Sequence, residues 1–333
     1  MLSRIAHVMY ELARHIERAE NTTRILDVNH RMSLERAYYS DLDVWSPILA
    51  ISGSREMFDS LYSEISGKNV YDFLLLSEDN PNSVLCCLRF ARESARMMRE
   101  QISEEMWGHL NRMHMELAEV SLEQVVGKGS SNFNYRIQSF CNGWHGLADN
   151  TMVHGQAWLF LRLGRFLERG LMTSHILEIK YHLLLPTPDE VGRPLDLHQW
   201  QALLRSVSGY EAYRRLHKAK IAPARVIDLL LFSQHFPRSM RFCIGEVANA
   251  LAGIGANTKA QRQLHVLVED FLAELSGGKG DLMLAEGIKL HLDAMQLQCE
   301  EIHLQIMESY LQPAILLDEK GRELAFGRQA QQQ

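Results

Sequence analysis

Two segments of the chain place arginine, glutamate and arginine at the same spacing. In "RHIERAENTTRILD", Arg14, Glu17, Arg18 and Asn21 stand three or four residues apart, so on a helix they share one face. "RFLERGLMTSHILE" repeats the pattern with Arg165, Glu168 and Arg169, and Thr173, Ile176 and Leu177 match Thr22, Ile25 and Leu26. A guanidinium recognises carboxylates and phosphates through paired N–H donors, and a positioned carboxylate can act as a general base. The candidate catalytic residues are therefore Glu17 and Glu168, and the candidate anion-binding residues begin with Arg14, Arg18, Asn21, Arg165 and Arg169. A structural reading stands beside this one: Glu17 and Glu168 hold Arg18 and Arg169 in an internal ion-pair network that ties two halves together.

Further cationic groups extend the anion-binding set. Arg89, Arg92, Arg96 and Arg99 recur as a basic ladder in "VLCCLRFARESARMMREQIS", with Glu93 and Glu100 one turn away, and Arg92 and Arg96 are its central members. Arg205 and Tyr210 in "LLRSVSGYEAYRR" combine a guanidinium with a hydroxyl. In "FPRS", Pro237 and Arg238 can start a helix whose free N–H groups face an anion.

Other signals fall short. Glu300-x-x-His303 is half of a di-iron pattern, and its required second copy is missing. Neither "GKGSSN" nor "GGKGD" fits the nucleotide-binding GxxxxGK[ST] loop, and no zinc spacing occurs. The expectation is no metal and no cofactor held by this chain, with any ATP bound by another one.

The elements that must position these groups read as helices nearly throughout. Apolar content is 46%, charged content 23%, and the 333 residues include only eight prolines, while alternating β-branched runs are scarce. The periodicity predicts a first helix to about residue 33 and short helices over about 36–52, 54–66 and 69–77. A long basic helix follows, then helices over about 103–125 and 155–185, and a closing helix over about 281–311. The fold class expected is all-α, a large multi-helix bundle built from two related halves, each led by an Arg-x-x-Glu-Arg helix. The division expected is a single domain over 1–315, with halves of about 1–150 and 151–315, and a polar tail over 316–333.

A net charge of −6 gives no reason for bulk nucleic-acid binding. Five scattered cysteines without a CxxC pair read as buried thiols in a reducing compartment. No stretch of about 18 apolar residues is present, so no membrane span is expected and the default location is cytoplasmic.

Taken in order, "MLSRIAHVMYELARHIERAENTTRILDVN", "ARESARMMREQISEEMWGHLN", "TMVHGQAWLFLRLGRFLERG", "LLRSVSGYEAYRR" and "FPRSMRFC" resemble the bacterial alpha-E family of helical proteins with a Glu-Arg motif. The resemblance runs over roughly residues 1–315. It implies an all-α partner of a circularly permuted ATP-grasp ligase, often near a transglutaminase-like protease. It further implies a role in amide-bond formation, in peptide synthesis or modification, with ATP and Mg supplied by the ligase. The motif falls on Arg14, Glu17, Arg18, Glu20 and Asn21, and again on Arg165, Glu168 and Arg169. Three functions follow as expectations. The first is an accessory subunit offering an Arg/Glu-lined cleft to an anionic carboxylate, acyl-phosphate or peptide substrate. The second is a stand-alone transferase or hydrolase using Glu17 or Glu168 as base, and the third is a purely structural helical scaffold.

Overall fold

The computed structural model describes residues 3–33, 40–126, 130–183, 194–218, 220–311, 316–317 and 323–324, and the protein is all-α. The first half of the chain supplies α1 (Ser3–Ser33), α2 (Asp41–Ile51), α3 (Arg55–Leu61) and α4 (Gly67–Tyr71), then α5 (Val84–Met97), α6 (Glu104–Ala118), α7 (Leu122–Val125) and α8 (Ser130–Thr151). The second supplies α9 (Gln156–Leu183), α10 (Pro194–Ser206), α11 (Tyr210–His217), α12 (Pro223–Ile227), α13 (Met240–Ile254), α14 (Lys259–Gly277), α15 (Gly280–Glu286) and α16 (Ile288–Tyr310). A two-residue antiparallel pairing, Leu316–Leu317 with Glu323–Leu324, is the strand structure among the described residues. The closing tail expected over 316–333 otherwise lies outside them.

The two series run in parallel down to local detail. The turn after α2 places Gly53 at φ 59, and the turn after α10 places Ser208 at φ 55. A π-helical segment follows α4 (Asp72–Leu76, DFLLL) and another follows α12 (Asp228–Phe232, DLLLF), each carrying consecutive leucines into the core. Ser83 then caps α5 by accepting from the Cys86 N–H, as Ser239 caps α13 by accepting from the Phe242 N–H. α1 is surrounded by α5, α8 and α9, and α9 by α13, α16 and α1. One continuous core runs through both series, from Ala6 to Leu311.

α1 and α9 are the central pair, and glycine lets them meet. A Cβ at Gly164 would lie 2.2 Å from the Tyr10 carbonyl oxygen, so the backbones approach too closely for any side chain there. At Gly170 a Cβ would sit 3.1 Å from Met240 Sδ, which brings α13 close against the other side of α9.

Several expected boundaries are corrected. The basic helix ends at Met97, and turns lead to Ser103, whose side chain caps α6, so Arg99 is not on the helix with Arg89, Arg92 and Arg96. The helix expected over 103–125 is cut in two by the capping box of Ser121 with Gln124. Gly287, at φ 99, divides the closing helix into α15 and α16.

Candidate functional site

The first turns of α1 carry Ile5, Val8, Met9 and Leu12 into the core, and the same helix then brings Glu17, Glu20 and Asn21 to positions with almost no solvent contact. α9 does the same with Glu168 and Arg169. Charges buried this deeply must be paired, and they pair across the two helices. Arg169 donates from Nε to Glu17 Oε1 at 2.7 Å and from Nη2 to Glu17 Oε2 at 2.7 Å. Arg18 makes the reciprocal fork, Nε to Glu168 Oε1 at 2.6 Å and Nη2 to Glu168 Oε2 at 3.1 Å. Each Glu-Arg dipeptide therefore sends its glutamate to the arginine of the other.

The surroundings of the two forks differ. Glu168 also accepts from Arg14 Nε at 2.9 Å, and Arg18 donates onward to Asn82 at 2.7 Å. Arg14 reaches Glu11 and the ring of His303, whose Nδ1 lies 2.8 Å from the Tyr10 hydroxyl. Glu17 instead accepts from Asn21 Nδ2 at 3.0 Å and lies 3.1 Å from His145 Nε2. Arg238, which stands where Asn82 stands in the other series, donates to Asn21 and to Glu20. Glu20 also takes Arg24, which continues to the Ser206 carbonyl and Ser208 hydroxyl of the turn after α10.

These contacts fix the protonation states. Burial alone would raise Glu168, but the guanidiniums of Arg18 and Arg14 outweigh it and hold the carboxyl at about 2. Glu17 is likewise held well below the ordinary carboxylate range, against burial, by Arg169, His145 and Arg238. Burial and the Arg165 charge push His145 down to about 4, so it is neutral at pH 7 and donates its Nε2–H to ionised Glu17. His303 falls to about 3 through burial and Arg14. Carboxylates clamped ionised by guanidiniums and shielded from solvent have little driving force to take a proton, so the geometry gives Glu17 and Glu168 a structural task rather than that of a general base.

Glu17, Glu20 and His145 offer ligand atoms within 4.8 Å of one another, a donor set that suits a divalent cation by type. Their oxygens already accept from Arg169, Arg24 and Arg238, and a cation among three guanidiniums would meet strong repulsion. The donor set is thus committed to arginine, although Glu20 Oε2 has no hydrogen-bond partner.

The structure brings Arg14, Glu17, Arg18, Asn21, Glu168, Arg169 and Arg238 into one network. Arg165 lies beside it but donates to Asp149, at 3.2 Å. Arg238 points inward from the start of α13 and donates to Glu20, while Ser239 caps that helix by accepting from the Phe242 N–H. Arg92 and Arg96 form a separate cluster in which both hold buried Glu93, at 2.7 and 2.8 Å. Arg205 and Tyr210 sit apart again at the surface, with the Arg205 guanidinium 4.8 Å from the Tyr210 ring centre and Arg214 on the same ring at 5.8 Å. Asn82, Arg24 and His145 were missed in the candidate set. Two repeats hold the missing signal for two of them: Pro81-Asn82-Ser83 matches Pro237-Arg238-Ser239, and Cys141-x-x-x-His145 matches Cys299-x-x-x-His303.

A family model described as Alpha-E, a predicted alpha-helical domain with a conserved ER motif, matches residues 1–311. The chain belongs to the Alpha-E family. Similar proteins of Mycobacterium bovis and of two strains of Mycobacterium tuberculosis, each named only as uncharacterized, are 23% identical to it over 283 residues. The match takes in 78% of this chain and 30% of each mycobacterial protein, so this Alpha-E chain spans about 30% of the length of the curated relatives it matches. No solved structure matches it.

Proposed function

We propose that this Alpha-E protein is a non-catalytic helical partner of an ATP-grasp amide ligase, acting in the cytoplasm in peptide synthesis or modification. The observation that supports this most is the length of its relatives: the stretch matched by this chain is 30% of each, so most of each relative lies outside it. Within this chain the acidic candidates, Glu17 and Glu168, are fully engaged by Arg169 and by Arg18 with Arg14, which counts against a stand-alone transferase or hydrolase. The ligase supplies ATP and Mg in this reading, and a transglutaminase-like protease is a further partner.

The place for an anionic carboxylate, acyl-phosphate or peptide substrate shifts accordingly. Arg14, Arg18, Arg169 and Arg238 spend their donors inside the bundle, and Arg92 and Arg96 on Glu93. Arg205 is exposed, with Tyr210 beside it, and it is the anion-binding candidate free of a carboxylate among the described residues. Phosphate release from ATP and candidate amino acids is measured with the circularly permuted ATP-grasp ligase alone, with this chain alone, and with both. The expected outcome is turnover that depends on the mixture. If the two proteins do not associate and ligase turnover is unchanged by this chain, the reading fails.

A further inference from the structure

The outer face of α14 and α16 is the least finished part of the surface. Leu290, Leu297 and Leu304 follow one another at seven-residue intervals along α16 and are 72%, 65% and 47% exposed. Seven residues is two helical turns, so the three leucines form one stripe. α14 runs antiparallel beside it, as shown by Gln261 donating to the Ser309 carbonyl at 3.0 Å and Gln298 donating to Glu274 at 3.0 Å. Val266 on α14 is exposed as well. With Leu282 and Leu284 on α15, this region holds half of the large apolar side chains that the described residues leave exposed. Isolated exposed leucines need no explanation, but three in register along one helix face do.

Acidic residues flank the stripe and, at Glu300 and Glu301, stand within it between Leu297 and Leu304. Glu269, Asp270 and Glu274 on α14 and Glu300, Glu301 and Glu308 on α16 are all exposed, with Lys259, Arg262 and Lys289 confined to the ends of the face. The corresponding helices of the first series, α6 and α8, expose Met115 and Tyr135, but their charges are mixed and partly self-neutralised through the Arg136–Glu116 pair. A second copy packed face to face on α16 would set acid against acid, which disfavours self-pairing.

We infer that the α14–α16 face docks the ligase partner, through an apolar ridge flanked by lysine or arginine on that partner. The inference rests on the partner reading above. It is supported by the charge of the rim and by the 70% of each relative's chain that lies outside the matched region. The leucines fill the partner's apolar ridge, and the acidic rim steers and orients the encounter.

The test compares binding of the full chain and its variants to the circularly permuted ATP-grasp ligase by calorimetry at low and high salt. The combined Leu290→Ser, Leu297→Ser, Leu304→Ser variant changes only exposed side chains and is expected to fold as the parent, checked by circular dichroism. It is expected to bind about tenfold or more weakly. Met115→Ser with Tyr135→Ser on α6 and α8 is expected to bind as the parent does, and parental affinity is expected to fall with salt. If the parent binds and the triple-serine variant binds equally well, the docking face is wrong and the partner reading stands. If the parent does not bind, both fall. If sedimentation of the chain alone shows a dimer that the serine variant abolishes, a second copy is the occupant and the inference is overturned.

Discussion

Glu17 and Glu168 decide most of what single residues do in this protein. Each is buried and holds an arginine from the opposite helix, so removing the carboxylate leaves a guanidinium buried without its counter-charge. Glu17→Gln is expected to cost about 3–5 kcal/mol in denaturant unfolding, and Arg169→Met about as much. The double variant is expected to lose clearly less than the sum, because neither stranded charge remains. Acid should act through the same groups. The folded-state values of Glu168 and Glu11, about 2 against an ordinary 4.5, are depressed. Their stabilisation is therefore complete above about 4.5 and lost as pH falls towards 2. His145 and His15, at about 4 against 6.5, add an earlier loss, since the unfolded chain takes up these protons between 6.5 and 4 and the fold resists them. Unfolding free energy measured against pH is expected to be level near neutrality, to decline below about 6.5, and to steepen below about 4.5. A curve flat down to pH 4 would contradict the buried neutral histidines.

At the scale of elements, glycines set how closely the helices can approach. Gly164→Ala forces α1 and α9 apart at Tyr10 and is expected to destabilise by about 1–3 kcal/mol. Gly146→Ala, on α8 with open space around its would-be Cβ, is expected to stabilise by about 0.5–1 kcal/mol. Thermal melting of the two variants, shifted in opposite directions, checks both. Helix existence was legible in the sequence because apolar period and charge spacing agree over α1 and α9. Helix ends were less so. The run through Arg99 contains no glycine or proline, so its break after Met97 leaves no mark beyond the Ser103 cap, and Gly287 is one glycine in an otherwise helical pattern. The crossing of the ion pairs was not legible at all: the spacing that puts Glu17 and Arg18 on adjacent faces says nothing about which arginine reaches which glutamate. Asn82, and the inward task of the candidate Arg238, escaped for a related reason. Both lie on helix-entry loops distant in sequence from α1, and only the parallel fold of the two series brings them there.

For the whole molecule, the reciprocal forks make each half the counter-ion of the other. We propose that the halves, about 1–150 and 151–315, are units of one domain rather than domains in their own right. Expressed separately, neither is expected to show cooperative unfolding or native near-ultraviolet dichroism, whereas co-expression is expected to give a stable one-to-one complex. A first half that unfolds cooperatively by itself would refute this. The surface is divided differently from the interior. Arginines that looked available from their spacing are used to hold the core, and the features open to a partner lie at the surface, at the leucines of α16 and the Arg205–Tyr210 cluster.

The crossed pairing also has a consequence in time. On a chain made from its N-terminus, Glu17 and Glu20 leave the ribosome long before Arg169 and Arg238 exist to receive them. α1 cannot settle into its final surroundings until about three-quarters of the described chain has been synthesised, since Arg238 is among its partners. A nascent chain halted before Arg169 would hold α1 with its apolar stripe uncovered on the α9 side and Glu17 without its arginine, which makes the first half a natural client for chaperones and makes folding an event of late translation.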